Sequence, residues 1–304
     1  MWANAGSTKS IPRNFWRMAE AEAQSPALPL GWASRVVIYD GPRLRLEYTG
    51  PADPARVLVA FPPFDYPFHT DQGGWGTKSF TKRSMAHVCV FHRDEDWHQH
   101  DEFFDAMRAC RAYFGAAPEL TAYGFSMGGY GAFLGAQALD ASRAIAVSPQ
   151  SSIDPNVVRF ERRYREQWDK MDGWCHDLRD HLDDKRSYTV MVDPMHGQDK
   201  KHEARLPKPA QYSRVLLHGA GHAGIQTIVD MGQSAALFDL LRGDIAPQDM
   251  RIAYRAGRRD GFRYVRKMGI LLHQQQKPAA RMFYAIAQDK GFRRLLKKWD
   301  PLYE

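Results

Sequence analysis

Apolar residues recur along this chain with two alternating periods. Arg56-Val57-Leu58-Val59-Ala60-Phe61 and His87-Val88-Cys89-Val90-Phe91 are short continuous apolar runs, the pattern of strands buried on both faces. Leu120–Tyr123, Ser142–Ser148, Tyr188–Val192 and Ser213–Leu217 repeat it. Glu102–Phe114 instead spaces its apolar positions as a helix does, and a helix is expected from Gly224 to Leu241, stopped by Arg242-Gly243. Ahead of these, Ser34–Asp40 and Arg43–Tyr48 flank Gly41-Pro42 and read as a hairpin with a half-exposed second strand. A hairpin followed by alternating strands and helices predicts an α/β fold: a mostly parallel central sheet with helices on both faces.

Three stretches depart from that alternation. Residues 1–32 form an N-terminal segment with one short helical candidate, Asn14–Ala21, and a proline-bearing loop. Residues 151–187 place Arg159, Arg162, Arg163, Arg165, Asp169 and Lys170 around Phe160, Tyr164, Trp168 and Met171, which predicts an amphipathic helical insertion. Residues 244–304 form a basic helical C-terminal extension, with candidates around Asp249–Arg258, Phe262–His273 and Ala279–Asp289. The main unit is therefore expected at 33–243.

Composition narrows the class. With 44% hydrophobic and 25% charged residues, the 304-residue chain can bury a sizeable core and is expected to be ordered. Its net charge of +7 is unevenly placed: from Ile245 to Glu304 there are 14 Lys and Arg against 5 Asp and Glu. The extension could meet an anionic partner or be a cap with solvated charges. No recognised nucleic-acid module is present, so nucleic acid is not the expected partner. The three cysteines, Cys89, Cys110 and Cys175, show no metal-ligand spacing and are expected as free thiols. With neither a signal-peptide pattern nor an apolar run of 18 residues, a cytoplasmic protein is the default.

The chemistry centres on Gly124-Phe125-Ser126-Met127-Gly128-Gly129. A G-x-S-x-G pattern alone is a common short string. Here a strand precedes it and a small-residue helix follows, so Ser126 is expected on a sharp strand-to-helix turn, with its hydroxyl raised above the sheet. The bland alternative is a glycine turn in which Ser126 caps the helix.

A serine nucleophile needs a base and a group that orients the base. His222 lies in the small-residue loop Gly219–Gly224 beyond a strand end and is the expected base. His218, at the strand terminus, suits packing better; His69 and His273 read as solvated. The acid is expected at Asp199, whose loop position can reach the far side of an imidazole, with Asp193 at the strand tip as the alternative. The oxyanion donors are expected to be the N–H groups of Met127 and Phe64, since Pro62 and Pro63 have none to give.

These residues resemble the α/β-hydrolase superfamily over roughly residues 33–243. Ser126–Ala132 together with Ser148–Pro155 resemble a bacterial subgroup in which some relatives are linked to surface polysaccharide or glycoprotein modification. The resemblance implies a Ser126/Asp199/His222 triad and an ester-directed activity without a cofactor. Many relatives carry His-Gly after the third strand, where this chain has Phe61-Pro62. Three functions follow as expectations: a serine hydrolase acting on a small-molecule or glycan ester, an O-acyltransferase with a hydroxyl acceptor, or a non-catalytic scaffold binding through the basic extension. Asp94–Glu102 falls beyond a strand end; it could contact substrate, but without defined ligand spacing it reads as a solvated helix start, and no metal is expected. Trp75, in a glycine-rich loop, is a candidate lid, sugar platform or surface anchor.

Overall fold

The computed structural model describes residues 27–68, 71 and 73–303. The helical candidate at Asn14–Ala21 and His69 lie outside the described residues. Eight strands form one sheet: β1 (Trp32–Asp40), β2 (Leu44–Pro51), β3 (Arg56–Phe61), β4 (His87–His92), β5 (Glu119–Phe125), β6 (Arg143–Val147), β7 (Ser187–Val192) and β8 (Tyr212–Leu216). Their order is β1-β2-β4-β3-β5-β6-β7-β8. β2 is antiparallel to β1 and to β4, and every other pair is parallel. The α/β fold with a mostly parallel sheet is the observed architecture.

Strand alternation sets the two cores. Val57, Val59 and Phe61 of β3 enter one apolar cluster, while Leu58 and Ala60 enter the other on the opposite face. Both faces are covered, which is why β3 and β4 read as unbroken apolar runs. Each fully buried Val or Phe in such a strand contributes roughly 1.5–3 kcal/mol. The chain leaves β3 toward β4 and leaves β5 toward β6, on the other side. Adjacent loops at the carboxyl ends of β3 and β5 therefore diverge, the setting in which open α/β sheets form their sites.

The helices are α1 (Thr77–Thr81), α2 (Glu102–Phe114), α3 (Met127–Gly135), α4 (Arg165–Trp168), α5 (Gly197–Arg205), α6 (Gly224–Asp230), α7 (Ser234–Arg242), α8 (Pro247–Gly257), α9 (Phe262–Gln274), α10 (Ala279–Asp289) and α11 (Arg293–Tyr303). The single helix expected over Gly224–Leu241 is two, broken where Gly232 takes a left-handed φ of 71°.

The amphipathic helix expected within 151–187 shrinks to the one turn of α4, with a 3-10 turn at Leu178–Asp180. Acidic side chains there bind backbone N–H groups two residues on: Asp154 to Asn156, Glu161 to Arg163, Asp177 to Arg179 and Asp183 to Lys185. Such local bonds compete with the helical ladder and hold the segment irregular.

The basic extension is helical, with one helix more than expected. Its apolar faces join the second core through Tyr254, Val265, Phe283, Leu295 and Trp299. Trp75, a candidate lid, is instead 8% exposed and stacks on Tyr123 of β5 at 5.3 Å. Cys89, Cys110 and Cys175 are all free thiols. Among the described residues no helix is long and apolar enough to cross a membrane.

Candidate active site

Ser126 ends β5 and starts α3 with φ 57° and ψ −118°, a conformation costing a non-glycine residue about 1–3 kcal/mol. Sheet and helix hold it there: its N–H donates to the Val147 carbonyl at 2.9 Å. The hydroxyl does not cap α3, which removes the bland reading of the motif. Close approach of backbones explains the flanking glycines. A Cβ on Gly124 would lie 1.9 Å from the Gly128 carbonyl oxygen, and one on Gly128 would lie 2.1 Å from that of Phe61.

The loop after β8 brings His222 over the elbow. Its Nε2 is 3.0 Å from Ser126 Oγ, and its Nδ1 is 2.9 and 3.0 Å from the two Asp199 oxygens. A proton on Nδ1, donated to the carboxylate, leaves Nε2 free to accept from the serine hydroxyl. Asp199 lies in the first turn of α5, where a loop was expected, and is 1% exposed. Burial pushes its carboxyl up, but the His222 charge and hydrogen bonds from His196 and His222 outweigh this and hold it far below the usual carboxylate range.

Asp193 is placed elsewhere. Fully buried at the tip of β7, its carboxylate accepts from the N–H groups of Met195 (2.9 Å), Gly219 (3.1 Å) and Gly221 (2.7 Å), and from Lys267 Nζ of α9 (2.6 Å). It anchors the loop that carries His222 and ties the extension to that loop. His218 in the same loop is held through its carbonyl by the Tyr254 hydroxyl at 2.9 Å.

Met127 is the first residue of α3. Phe64 lies just beyond the Pro62 carbonyl that abuts Gly128, so its loop runs beside the start of that helix. Among the described residues neither of these two N–H groups has a hydrogen-bond partner. The Phe64 ring stacks on Trp97 at 5.9 Å and meets Tyr164 at 5.3 Å.

Sequence reasoning missed three residues. Gln150, fully buried on the loop after β6, donates from Nε2 to Ser126 Oγ at 2.8 Å and accepts from Trp97 Nε1 at 3.3 Å. Only its place at a strand's carboxyl end, within the Ser148–Pro155 segment, hinted at it. His196 caps α5, its Nδ1 3.0 Å from Asp199 Oδ1 and 3.4 Å from the Asp199 N–H; the ring's tautomer decides which it engages. The Tyr164 hydroxyl faces Ser126 without a hydrogen bond of standard geometry.

A buried brace supports this arrangement. The Ser151 N–H donates to His202 Nδ1 at 3.1 Å, and His202 Nε2 lies 3.0 Å from Glu161, itself paired with Arg163. Burial pushes the His202 pKa down by more than the Glu161 carboxylate beside it pulls it up. The brace links the loop of Gln150 to the helix of Asp199.

Among the described residues, two clusters have the donor types of a metal site: His196, Asp199 and His222, already engaged above, and Asp96, His98 and His100 beyond β4.

No protein-family model and no curated protein matches the sequence. Several solved structures are similar in chain path. A serine hydrolase without a lid from Xanthomonas campestris is 16% identical over 77% of this chain and 96% of its own, with a TM-score of 0.42. The capsule O-acetyltransferase of Neisseria meningitidis serogroup A is 14% identical over 71% of this chain and 96% of its own, at 0.48. An esterase from Pyrococcus furiosus is 10% identical over 69% and 92%, at 0.45. The chain's own strand order, with β2 antiparallel and β3 and β4 exchanged, and the strained serine between β5 and α3 are the more telling features. By that sheet and that elbow, the chain has the α/β-hydrolase fold.

Proposed function

We propose that this protein is a serine hydrolase of the esterase type, working through an acyl-enzyme, with residues 33–243 as its catalytic unit and 244–304 as an extension buttressing it. One observation carries the reading: His222 Nε2 lies 3.0 Å from Ser126 Oγ while its Nδ1 engages Asp199. In the first step Ser126 Oγ attacks the ester carbonyl carbon and its proton passes to His222 Nε2. The carbonyl π pair moves onto oxygen, where the Met127 N–H and the Phe64 N–H donate to it. Collapse expels the alkoxide, which takes the proton from His222. Water, deprotonated by the same imidazole, then releases the acid and restores Ser126. Asp199 keeps the imidazole in the productive tautomer throughout.

Gln150 adds to this. Its amide holds the serine oxygen in the resting state, and attack converts that oxygen to an ester. The N–H is then free to turn to the neighbouring oxyanion as a third donor.

A second reading changes only the acceptor. Ser126 is 3% exposed, with Gln150 bonded to it and Tyr164 facing it, so water has limited access to an acyl-enzyme there. A hydroxyl acceptor bound in that setting would take the acyl group instead.

The test is turnover of nitrophenyl esters of increasing acyl length by the protein and its Ser126→Ala variant, with and without polyol acceptors. A burst of about one nitrophenolate per chain, absent in the variant, is expected. Acylated acceptor in place of free acid selects the second reading. Equal rates for the two folded proteins would overturn both, and retained cellular function in the variant would select a binding role.

A further inference from the structure

We infer that the loop following β4 is a transition-metal site, with Asp96, His98 and His100 as ligands for a divalent ion of the zinc type. The inference is independent of the reaction proposed above. Each of the three residues offers a ligand atom, and these atoms all lie within 4.8 Å of one another. His100 Nε2 is 3.7 Å from Asp96 Oδ2. Tetrahedral zinc with bonds of about 2.0–2.2 Å separates its ligands by about 3.4 Å. Small side-chain rotations close the remaining gap.

His98 supplies the second, independent sign. It is 0% exposed, yet neither ring nitrogen has a hydrogen-bond partner. The ring stacks on Phe103 at 4.7 Å, and Gly131 of α3 makes room for it, since a Cβ there would lie 2.6 Å from Nε2. Buried polar groups are almost always bonded, so an orphaned imidazole in a cluster of ligand types calls for a partner. Orphans also gather beside it: His92 Nδ1, Glu95 Oε2 and His100 Nδ1 are buried and unbonded. Two imidazoles and one carboxylate suit zinc, cobalt or iron better than calcium or magnesium, which take oxygen ligands.

Charge permits the ion. Arg43 approaches Asp96 Oδ2 at 3.3 Å and opposes it, but the same guanidinium is paired with Asp94 at 3.2 Å. Asp94, Glu95 and Glu102 set three further carboxylates around the loop, and Glu102 is already bound to the Arg43 and Leu44 N–H groups. Asp96 can therefore turn one oxygen to the ion without stranding Arg43.

The consequence for the active site runs through Trp97, which sits between the proposed ligands and donates to Gln150, the residue bonded to Ser126. The ion would hold this loop, and with it Gln150. It is a positioning device and takes no part in the reaction.

The test uses the full-length protein after chelator treatment and dialysis, with folding checked by near-ultraviolet circular dichroism. Cobalt is titrated and read by its visible ligand-field absorption, and zinc by competition with a chromogenic chelator. One ion per chain with a tetrahedral cobalt spectrum is expected. His100→Ala and Asp96→Asn should each weaken binding by more than about tenfold, while His196→Ala should leave it unchanged. These two ligand variants avoid the fully buried His98, whose removal could unfold the chain. Absence of the cobalt band in folded wild-type protein would overturn the proposal. So would binding that survives both ligand substitutions, or that disappears in His196→Ala.

Discussion

The two aspartates that follow β7 should fail in opposite ways when each is changed to asparagine. Asp199→Asn keeps volume and burial but offers an amide to His222. An asparagine N–H facing Nδ1 favours the tautomer with its proton on Nε2, and that nitrogen can no longer accept from Ser126. Loss of the orienting carboxylate in this manner costs about four orders of magnitude in kcat, or about 5 kcal/mol of transition-state stabilisation. Asp193→Asn leaves that array alone and strikes the scaffold. Its buried carboxylate accepts three backbone N–H groups and Lys267 Nζ, so the substitution weakens those buried hydrogen bonds and breaks an ion pair whose lysine is half-buried, at about 2–4 kcal/mol. Urea unfolding at pH 7.5 gives the stabilities, and single-turnover acylation by an activated ester at low temperature gives the rates. Asp199→Asn should fold normally with acylation nearly abolished. Asp193→Asn should unfold early yet acylate within about tenfold of wild type while folded. A normally stable Asp193→Asn with rates down four orders, or an Asp199→Asn at wild-type rate, would refute the division of labour.

Other outcomes follow from the same structure. Gln150→Leu keeps the bulk and removes the amide, so kcat should fall about 100-fold, while the buried Trp97 Nε1 left without its acceptor should cost about 1–3 kcal/mol of stability; an unchanged kcat in the folded variant would confine Gln150 to the resting state. Gly128→Ala would press a Cβ onto the Phe61 and Pro62 carbonyls, at 2.1 and 2.5 Å, and should cost about 1–3 kcal/mol in thermal unfolding along with a loss of acylation rate. Stability should also fall on acidification. Burial, partly offset by a hydrogen bond to the Met85 carbonyl, lowers the folded pKa of His87 to about 4. The unfolded chain therefore takes the proton first. The contribution of His87 is complete above about 6.5 and is lost as pH falls from there toward 4, amounting to about 2 kcal/mol at pH 5. Urea melts from pH 7 to 5 should show a slope that flattens in His87→Phe.

Much of the fold was readable because burial writes itself into periodicity. β3 and β4 are covered on both faces, so their interior positions from Val57 to Phe61 and from Val88 to Phe91 are apolar, and α2 was bounded correctly by its helical spacing. The elbow was readable for a different reason: its glycines are forced by backbone contacts within a few residues of Ser126. What stayed hidden depends on long-range geometry. Gln150 reaches Ser126 only because β5 and β6 are neighbours, and no local pattern marks a polar residue in a loop as pointing inward. The Arg and aromatic spacing in 151–187 imitated a helix, while its acidic side chains were capping turns. Trp75 looked like a lid because tryptophan in a glycine loop is often exposed; its stacking partner, Tyr123, is 48 positions away. The same holds for Asp96, His98 and His100, whose convergence rests on the backbone path of one loop.

Activation of Ser126 by His222 is the step on which the proposed chemistry depends. It is tested most directly by reacting the folded protein with a fluorophosphonate, then measuring intact mass and mapping the labelled peptide. One adduct per chain is expected, on Ser126, formed slowly or not at all in His222→Ala. Folded protein that stays unmodified, or that carries the label on another residue, would contradict it.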